Sequence, residues 1–368
     1  MSETVNRRWV LAQRPSGHLK DSDFEFRREA VPVPGSGEFV VRVTHLSFDP
    51  TQRGWLQADT YLPAVKIGEV VRAGAAGEVV ASNNPKFPVG LKVQGAFGWQ
   101  DYCLTDGGGF WPVAPLQDGI TPEQALGIFG TTGLTAYFGL TDIGKPKAGD
   151  VVLVSGAAGA TGSVVGQIAK ALGCTAIGIA GGKAKCDWVV GTAGFDACID
   201  YKSEPVARRI RELAPKGVNV VFENVGGAIL DAALGNLAQR ARVVLCGGIS
   251  SYNAASADEI EGLKNYMALT VTRSRMEGFI VLDYAPRFAE GVKALAGWIA
   301  EGRIKSAEDV QTGLENAPAT LRRLFEGQDH LVQAVGGKIV EAGQRLQPAG
   351  DFILSLEGIV LGQLADNP

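Results

Sequence analysis

The sequence predicts an α/β protein in which a doubly wound parallel sheet is inserted into a mostly β domain. Between Asp150 and Phe279, short apolar runs rich in β-branched residues alternate with segments of helical periodicity, which is typical of a parallel sheet. Residues 1–130 instead contain strand-like pieces between many proline and glycine turns, which indicates a mostly β unit. A chain of 368 residues is long enough for two domains of this kind.

Six apolar runs are predicted to be the strands of the central sheet. Runs that stay apolar throughout belong where helices cover both faces of a sheet. The runs are Val151–Ser155, Thr175–Ile179, Ala197–Ile199, Val218–Phe222, Arg242–Cys246 and Glu277–Val281. Between the first two, Val164, Ile168 and Leu172 recur on one face of a predicted helix. Six strands with interleaved helices predict a complete dinucleotide-binding (Rossmann) fold.

The regions that flank this sheet are predicted to form one domain together. The strand-like pieces of the N-terminal region include Glu38–Val43 and Gly77–Ala81. After the sheet, a predicted helix through Trp298 leads into a short segment that rejoins the first domain. We therefore predict two domains, residues 1–132 with 305–368 and residues 133–304.

The tail from Glu341 onward carries a weaker pattern. Two glycines disfavour a helix there, although apolar residues recur at helical spacing at Ile353, Leu356, Val360 and Leu364. A helix packed on its own domain is the first interpretation, and a lid or a subunit contact is the alternative.

Composition limits the possible partners. With 35 Lys+Arg against 39 Asp+Glu, the net charge of −4 gives no general attraction to nucleic acid or membrane surfaces, so we expect a small-molecule partner. No apolar run is long enough to span a membrane and no apolar signal core follows Met1–Arg8, so we expect a cytoplasmic protein. Three histidines argue against a multi-histidine metal site, and five cysteines without a CxxC pair predict reduced thiols.

A glycine loop follows the first strand of the central sheet. Gly156, Gly159 and Gly162 lie between that strand and the next predicted helix. Glycines allow the tight turn and let backbone N–H groups approach a pyrophosphate at the positive end of the helix. A merely structural turn is the alternative, but the strand, the helix and the later strands all match the context of a dinucleotide site.

The end of the second strand predicts which dinucleotide binds. NAD-binding domains usually place an acid there, about 20 residues after the glycine loop, whereas this chain has Gly181-Gly182 followed by Lys183 and Lys185. An ammonium group beside the adenosine ribose favours the 2′-phosphate of NADP. Two solvated surface lysines are the alternative interpretation.

Short family motifs extend from residue 8 to residue 327. They are Arg8–Ala12, Leu46–Pro50 with Arg53-Gly54, Gly98–Tyr102, Gly133–Tyr137, the glycine loop, Ala180–Cys186, Gly194–Asp196, Ile199–Lys202, Glu223–Gly227, Cys246-Gly247, Tyr252-Asn253, Gly278–Val281 and Gly313–Pro318. Through them the chain resembles the zinc-independent medium-chain dehydrogenase/reductases, and within them the group of prostaglandin reductases, leukotriene hydroxydehydrogenases, plant double-bond reductases and bacterial curcumin reductase.

The resemblance implies a fold, a reaction and an assembly. It implies that the flanking domain is GroES-like, that the active site lies in the cleft beside the nucleotide domain, and that the protein is a homodimer. It also implies NADPH-dependent reduction of the carbon–carbon double bond of an enone or enal. A conjugated alkene suits such a site, because hydride reaches the β-carbon and hydrogen-bond donors can hold the charge on the enolate oxygen.

The resemblance also implies roles for single residues. Lys185 matches the 2′-phosphate lysine, and Tyr252 matches the tyrosine assigned to the substrate carbonyl or to proton delivery. The expected cofactor contacts are Gly156, Ala158, Gly159, Thr161, Gly162, Gly182, Lys185, Tyr201, Asn224, Cys246, Gly247, Ile249, Ser250, Tyr252, Phe279 and Val281. Phe279 and Val281 correspond to the backbone partners of the nicotinamide carboxamide, and Cys246 is expected to act through its carbonyl.

The residues that bind catalytic zinc in related alcohol dehydrogenases are missing. Near the usual Gly-His-Glu position the chain has only Gly68-Glu69, and the segment of the first ligand cysteine reads Leu46–Asp49. We therefore expect no metal. Without a Lewis acid, reduction of a simple ketone loses its main electrophilic help.

The substrate end departs from the family pattern. Relatives usually read Asp-Pro-Tyr-Met-Arg where this chain has Asp49–Arg53, so Thr51 replaces a phenol. They tend to have Met-Pro where this chain has Thr131-Thr132. After Gly327, the usual Lys-Asn pair becomes Gln328-Asp329, and His330–Gly336 looks like an insertion. These changes concern the substrate more than the cofactor.

The candidate catalytic residues are Tyr252, Thr51, Arg53, Thr131 and Thr132. Tyr252 follows the carboxyl end of the fifth strand, the edge where open α/β sheets bind ligands. Arg53 could hold a carboxylate or phosphate by two hydrogen bonds, and an internal ion pair with Asp49 or another acid is the equal alternative.

Three residues of the N-terminal region have both a structural and a functional interpretation. His45 is interpreted as a satisfied core or rim histidine. Trp55 and Trp99 could wall an aromatic pocket or simply pack.

The predicted function is NADPH-dependent reduction of the double bond of an α,β-unsaturated ketone or aldehyde. The alternatives are an NADPH quinone oxidoreductase, an allylic alcohol dehydrogenase and a catalytically silent NADPH-binding protein. The expected partners are NADP, a small enone, enal or quinone, and a second copy of the chain.

Overall fold

The computed structural model describes residues 5–327 and the short strand 334–336. Its strands are β1 (Val5–Leu11), β2 (Phe24–Ala30), β3 (Phe39–Ser47), β4 (Ala75–Ser82), β5 (Lys92–Gly95), β6 (Tyr102–Thr105), β7 (Ala114–Pro115), β8 (Val151–Ser155), β9 (Thr175–Ala180), β10 (Ala197–Asp200), β11 (Val218–Glu223), β12 (Leu237–Leu245), β13 (Arg275–Gly278), β14 (Asp309–Val310) and β15 (Ala334–Gly336).

The α-helices connect and cover these strands. They are α1 (Gln52–Gln57), α2 (Pro122–Leu126), α3 (Thr131–Phe138), α4 (Ala160–Ala171), α5 (Lys183–Gly191), α6 (Val206–Leu213), α7 (Gly227–Leu234), α8 (Ala268–Thr272), α9 (Phe288–Ala300) and α10 (Ala317–Glu326). In the described part of the chain, none of these helices is long and apolar enough to cross a membrane.

The six predicted strands form one parallel sheet in the order β10-β9-β8-β11-β12-β13, which confirms the Rossmann prediction. The chain runs outward from β8 to one edge and returns to β11 on the other side, so the strand order reverses between β8 and β11. Loops diverge at such a reversal and leave a crevice beyond the carboxyl ends of the strands. This strand order therefore favours a ligand site between these two strands.

The last predicted strand is shifted in the structure. We expected Glu277–Val281, but β13 ends at Gly278 and a 3-10 segment begins at Val281. Phe279 is apolar because it packs outside the sheet. Its ring contacts Tyr284, with 6.3 Å between the ring centroids. Phe279 therefore leaves the sheet and turns toward neighbouring helical segments.

The sheet is buried on both faces, as its apolar runs predict. Val152 and Val154 of β8 pack into a core with α3 and α4, whereas Leu153 between them packs into a second core with α6 and α7. Val164 and Ile168 of α4 lie in the first core, which confirms the helix face predicted from their spacing.

The remaining strands build the second domain. A mixed sheet has the order β14-β15-β3-β4-β5-β7, with β6 also paired to β3, and β1 and β2 form a separate antiparallel pair. Because β14 and β15 come from the C-terminal part of the chain, the parallel sheet is inserted within this domain, as predicted. The exact boundaries at 132/133 and 304/305 stay a prediction.

Some predictions fall outside the described residues. These are the helix of the C-terminal tail from Glu341, the pair Gln328-Asp329, and the first part of the expected insertion His330–Gly336. The last three residues of that insertion form β15, which pairs with β3.

Candidate active site

A cavity of about 860 Å³ lies at the carboxyl ends of the parallel strands. It is lined both by the parallel-sheet domain and by the loops that follow β3. The predicted site residues that line it are Thr51, Thr131, Thr132, Gly156, Ala158, Gly159, Thr161, Gly162, Lys185, Tyr201, Asn224, Cys246, Gly247, Ile249, Ser250, Tyr252, Phe279 and Val281. Residues from distant parts of the sequence therefore share one cavity.

The glycine loop forms the floor of the cavity below α4. Gly156 has φ +60°, and a Cβ added to Gly162 would lie 2.3 Å from the backbone oxygen of Gly156. Only glycine at position 162 lets the first turn of α4 approach the loop this closely. Gly159 caps α4 and offers no side chain to its first N–H groups, so the positive end of a 12-residue helix faces the cavity with donors for an anion.

A buried carboxyl group fixes the next turn of the floor. Oε1 of Glu223 accepts hydrogen bonds from Ser155 Oγ at 2.8 Å, from the Val225 N–H at 2.6 Å and from the Gly226 N–H at 2.7 Å. The Asn224 side chain donates to the Ser155 carbonyl oxygen at 2.7 Å. Burial raises the pKa of Glu223. Glu223 therefore positions Asn224, a role that the sequence pattern did not reveal.

Lysines and a tyrosine close one end of the cavity. Lys185, Tyr201 and Lys202 line it beside the carboxyl end of β9. Lys183 does not line it, since its ammonium group pairs with the carboxylate of Asp187 at 2.6 Å on the exposed side of α5. The structure therefore places Lys185, which the family resemblance assigns to the 2′-phosphate, at the cavity and Lys183 outside it.

Asp200 shapes the same end from below. Its Oδ1 accepts from the Gly182 N–H at 2.7 Å and from the Lys202 N–H at 3.0 Å. Together with a hydrogen bond from Ser203, these contacts hold the pKa of the Asp200 carboxyl below its usual value. Asp200 thus joins the turns before α5 and after β10.

The other end of the cavity carries hydroxyl groups and aromatic rings. Tyr252 Oη accepts a hydrogen bond from the Gly248 N–H at 3.2 Å, and burial raises the pKa of this phenol. Thr51 Oγ1 lies 3.0 Å from Tyr61 Oη. Trp55 and Trp111 line the walls beside them. This end offers neutral hydrogen-bond donors among apolar surfaces, which suits an uncharged, partly polar ligand.

Burial also determines the state of Cys246. It raises the pKa of this thiol to about 12, with the neighbouring Glu223 adding to the effect. A thiol with this pKa stays protonated at neutral pH and is a poor nucleophile. The raised pKa agrees with the expectation that the carbonyl of Cys246 matters more than its sulfur.

Comparisons with known proteins agree with this geometry. Residues 7–113 match the family model for the N-terminal domain of oxidoreductase, and residues 160–297 match the model for zinc-binding dehydrogenase. The NADPH-dependent curcumin reductase of Escherichia coli (strain K12) is 38% identical over 94% of this chain and 98% of the relative. The NADP(+)-dependent 2-alkenal reductase of Nicotiana tabacum is 35% identical over 89% of this chain and 96% of the relative.

A solved structure is similar over the same length. The crystal structure of CurA in complex with NADPH from Vibrio vulnificus is 40% identical, with a TM-score of 0.85, and covers 91% of this chain and 100% of that chain. The chain belongs to the zinc-independent medium-chain dehydrogenase/reductases. Family membership confirms the resemblance read from the motifs and the pairing of a GroES-like domain with a Rossmann domain.

The metal ligands of zinc-dependent members have no counterpart cluster here. Within residues 5–327 and 334–336, no three His, Cys, Asp or Glu side chains come close enough together to hold a metal ion. The histidine nearest the family's metal-binding segment, His45, is 7% exposed and is satisfied by Thr44 at 2.9 Å and Glu123 at 3.2 Å. His45 lowers the pKa of Glu123 to about 2. His45 is a rim histidine, as its context predicts.

Two predicted site residues lie outside the cavity. Arg53 is fully buried and donates to Gln57 Oε1 and to the Gly17 carbonyl oxygen, both at 2.9 Å. It follows Thr51 by two helical positions, about 200° around the axis of α1, so it points away when Thr51 faces the cavity. We therefore withdraw Arg53 as a candidate catalytic residue. Its hydrogen bonds go to neutral groups and not to Asp49, and the acid whose charge acts on its guanidinium is Asp23.

Gly182 is the second residue outside the cavity. It has φ +97° and caps α5, with its N–H held by Asp200. The backbone turn requires glycine at position 182, because residues with a side chain rarely adopt this φ. Gly182 supports Lys185 without lining the cavity.

A second residue brings a phenol close to the position where relatives have a tyrosine. Sequence comparison at position 51 shows a loss, but Tyr61 brings a phenol to within hydrogen-bond distance of Thr51. Tyr61 is 45% exposed, and the partial burial of its phenol still raises its pKa, so this phenol also stays protonated at neutral pH. Tyr61 was missed because it lies in an irregular loop ten residues away, where no periodicity marks its direction.

Trp55 and Trp99, each expected to line a pocket or to pack in the core, differ in the structure. Trp55 lines the cavity, and the guanidinium of Arg72 lies 5.6 Å from its ring centroid. Trp99 is fully buried and packs against Phe24 and Phe48 with centroid distances of 5.5 and 5.4 Å. Trp55 is thus a pocket residue and Trp99 a core residue.

Proposed function

We propose that this protein is an NADPH-dependent ene-reductase that reduces the carbon–carbon double bond of an α,β-unsaturated ketone or aldehyde. One observation carries the proposal: a single cavity joins a phosphate-type glycine loop and two lysines to a group of neutral hydroxyls. The relatives reported above include reductases named for NADPH and for conjugated substrates. The combination supports a nucleotide and a small conjugated carbonyl compound in one site.

The chemistry of the donors fits NADPH. The close approach at Gly162 and the uncapped start of α4 suit a pyrophosphate. Lys185 and Lys202 provide positive charge at the end where a 2′-phosphate would lie. Asn224, the Cys246 carbonyl, Phe279 and Val281 are the proposed contacts of the nicotinamide half, and NADPH, when bound, supplies the hydride for the β-carbon.

The hydroxyl groups of the chain complete the reaction. We assign Tyr252 and Thr51 as donors to the substrate carbonyl oxygen, where negative charge develops as the double bond is reduced. Because burial raises the pKa of Tyr252 above its usual value, the phenol keeps its proton at neutral pH and can donate. Tyr252 or solvent then supplies the proton to the α-carbon. Thr131 and Thr132 also line the cavity and are the further candidate donors.

The test is product identification after NADPH oxidation with a panel of enals, enones, quinones and nitroalkenes. We expect saturated ketones or aldehydes. An allylic alcohol as the only product would overturn the proposal, because the C=O bond would then have been reduced. Faster quinone turnover that survives Tyr252→Phe would favour the quinone oxidoreductase, and NADPH binding without turnover would favour a silent binding protein.

We also propose that the protein is a cytoplasmic homodimer. Strand β13 ends the parallel sheet, and none of the described strands pairs with its outer edge. Tyr266, Met267 and Val271 near this edge are each more than half exposed. An open edge beside exposed apolar side chains suits pairing with a second copy. Sedimentation analysis should give twice the chain mass, and a monomer would contradict the homodimer.

The cytoplasmic location is supported by the cysteines. All five are free thiols, which fits a reducing compartment.

A further inference from the structure

Two cysteines meet beside the lysine end of the cavity. Cys186 lies in α5 and Cys198 lies in β10, and the Cys198 thiol donates to the Cys186 sulfur with 2.9 Å between the Sγ atoms. This separation is only about 0.9 Å longer than the roughly 2.05 Å of a disulfide bond. Both residues are partly exposed, whereas Cys103 and Cys174 are buried. The two thiols are therefore placed to react with each other and are open to a small oxidant.

The pair connects the two segments that build this end of the cavity. Cys186 directly follows Lys185, which lines the cavity. Cys198 lies two residues before Asp200, whose carboxylate holds the N–H groups of Gly182 and Lys202. A covalent bond between the sulfurs would tie the start of α5 to the end of β10.

We propose that Cys186 and Cys198 are a reversible oxidation site, at which hydrogen peroxide forms a disulfide that weakens NADPH binding. One thiolate attacks an oxygen of hydrogen peroxide, breaks the O–O bond and becomes a sulfenic acid, and the hydroxide that leaves takes up the proton lost by that thiol and becomes water. The second thiol then attacks that sulfur and releases the other oxygen as water. Two thiols and one hydrogen peroxide thus give one disulfide and two waters, and a dithiol reverses the change. The effect on binding rests on the proposed contact between Lys185 and the 2′-phosphate.

The helix rather than the strand moves when the bond forms. Cys198 is held in register opposite Gly178 of β9 by the parallel ladder. Helix α5 has only one fully buried residue, Val189, and several of its side chains face solvent. Drawing the two sulfurs together therefore shifts the start of α5, and Lys185 with it. A charge that must meet a phosphate at hydrogen-bond distance loses affinity when it is displaced.

The site is a slow sensor. Burial raises the pKa of both thiols, and the carboxylates of Asp200 and Glu204 add to the effect. The thiolate that attacks peroxide is therefore scarce at neutral pH. The disulfide should accumulate over prolonged exposure rather than within seconds.

Peptide mass spectrometry detects the bond directly. No Lys or Arg lies between Cys186 and Lys202, so trypsin releases both cysteines in one peptide. After treatment with hydrogen peroxide and alkylation of the remaining thiols, this peptide should appear unalkylated and lighter by two hydrogen atoms. Its absence from long-treated, folded protein would overturn the proposal. The measurement uses the unmodified chain and needs no variant to fold.

Binding titrations test the consequence. In oxidised protein the Kd for NADPH should rise about tenfold and return after dithiothreitol, whereas the Kd for NADH should change less than about twofold. Cys198→Ser should remove the response, and Cys174→Ser should retain it, because Cys174 bonds elsewhere, to the Lys147 carbonyl oxygen. A disulfide that leaves the NADPH Kd unchanged would overturn the regulatory role.

Lys185→Ala separates this inference from the proposed function. If Lys185 holds the phosphate, the reduced variant binds NADPH weakly, and oxidation adds no further loss. If the reduced variant binds NADPH as well as the unmodified protein does, the phosphate contact is wrong, and the disulfide peptide still reports on the cysteine pair by itself.

Discussion

The two ends of the cavity differ in what lines them, because backbone groups form most of one end and side chains form the other. The nucleotide end is made mostly of backbone, with Gly156, Gly162 and Asn224 arranged at strand ends that follow one another in a regular sheet. The substrate end is made of side chains from two distant segments, with Thr51 and Tyr61 on one and Tyr252 on the other. A backbone site tolerates little change, whereas a side-chain site can exchange one group for another of similar chemistry.

The largest expected effect lies at the nucleotide end. Gly162→Val should abolish measurable NADPH binding, roughly a hundredfold loss or more, because its Cβ would lie 2.3 Å from a backbone oxygen that cannot move aside easily. Isothermal titration measures the loss. Gly191→Val is the matched control, since its Cβ would meet open space. Equal losses in both variants would mean that the effect is general destabilisation.

The next effect tests the donor at the substrate end. Tyr252→Phe should lower kcat about a hundredfold while the NADPH Kd stays within about threefold, because one donor to the developing oxyanion is lost. The raised pKa of Tyr252 means that its neutral, donating form persists above pH 10. The alkaline fall in kcat should therefore begin above pH 10. A fall centred near pH 8 would assign the titration to another group.

Lys185→Ala should have a smaller effect, which is confined to the phosphate. NADPH affinity should fall roughly ten- to thirtyfold and NADH affinity hardly at all, since loss of a charge-assisted hydrogen bond at the weaker end of its range costs about 1.5–2 kcal/mol. Lys183→Ala is the control, because Lys183 pairs with Asp187 away from the cavity. If the two variants lose affinity equally, the loss comes from the reduced positive charge of the region and not from a contact of Lys185 with the phosphate.

The smallest effect should come from Thr51, which stands where relatives have a tyrosine. Thr51→Val should raise KM about threefold and leave kcat nearly unchanged, because Tyr61 keeps a hydroxyl 3.0 Å from the place of the lost one. The double variant Thr51→Val with Tyr61→Phe should lose more than the two single changes together. Additive losses would show that the two hydroxyls act independently.

Sequence reasoning located the regular parts of the molecule closely. Strand β8 has the predicted bounds, and β9, β10 and β11 differ from prediction by one residue. The wrong prediction at Glu277–Val281 has a clear cause, because Phe279 is apolar for packing outside the sheet. An apolar run of a few residues does not distinguish a buried strand from a cavity wall.

The candidate site was predictable in the same uneven way. The glycine loop and Lys185 stand at positions that the strand order alone brings together. Arg53 could not be excluded from sequence, since its exclusion depends on the direction of a short helix and on Gly17, 36 residues away. Glu223 was hidden because an acid at a strand end looks the same whether it faces a ligand or holds a turn.

The sequence by itself determined the fold class and the cofactor loop, because hydrophobic periodicity and glycine spacing are local properties of the chain, and its short motifs carried the resemblance to the family. Only the tertiary structure decided which hydroxyls share the substrate end, that Arg53 lies outside the cavity, and that Cys186 meets Cys198. Those outcomes depend on side-chain directions in loops and on contacts between distant segments. Packing fixes such directions after the regular elements have assembled.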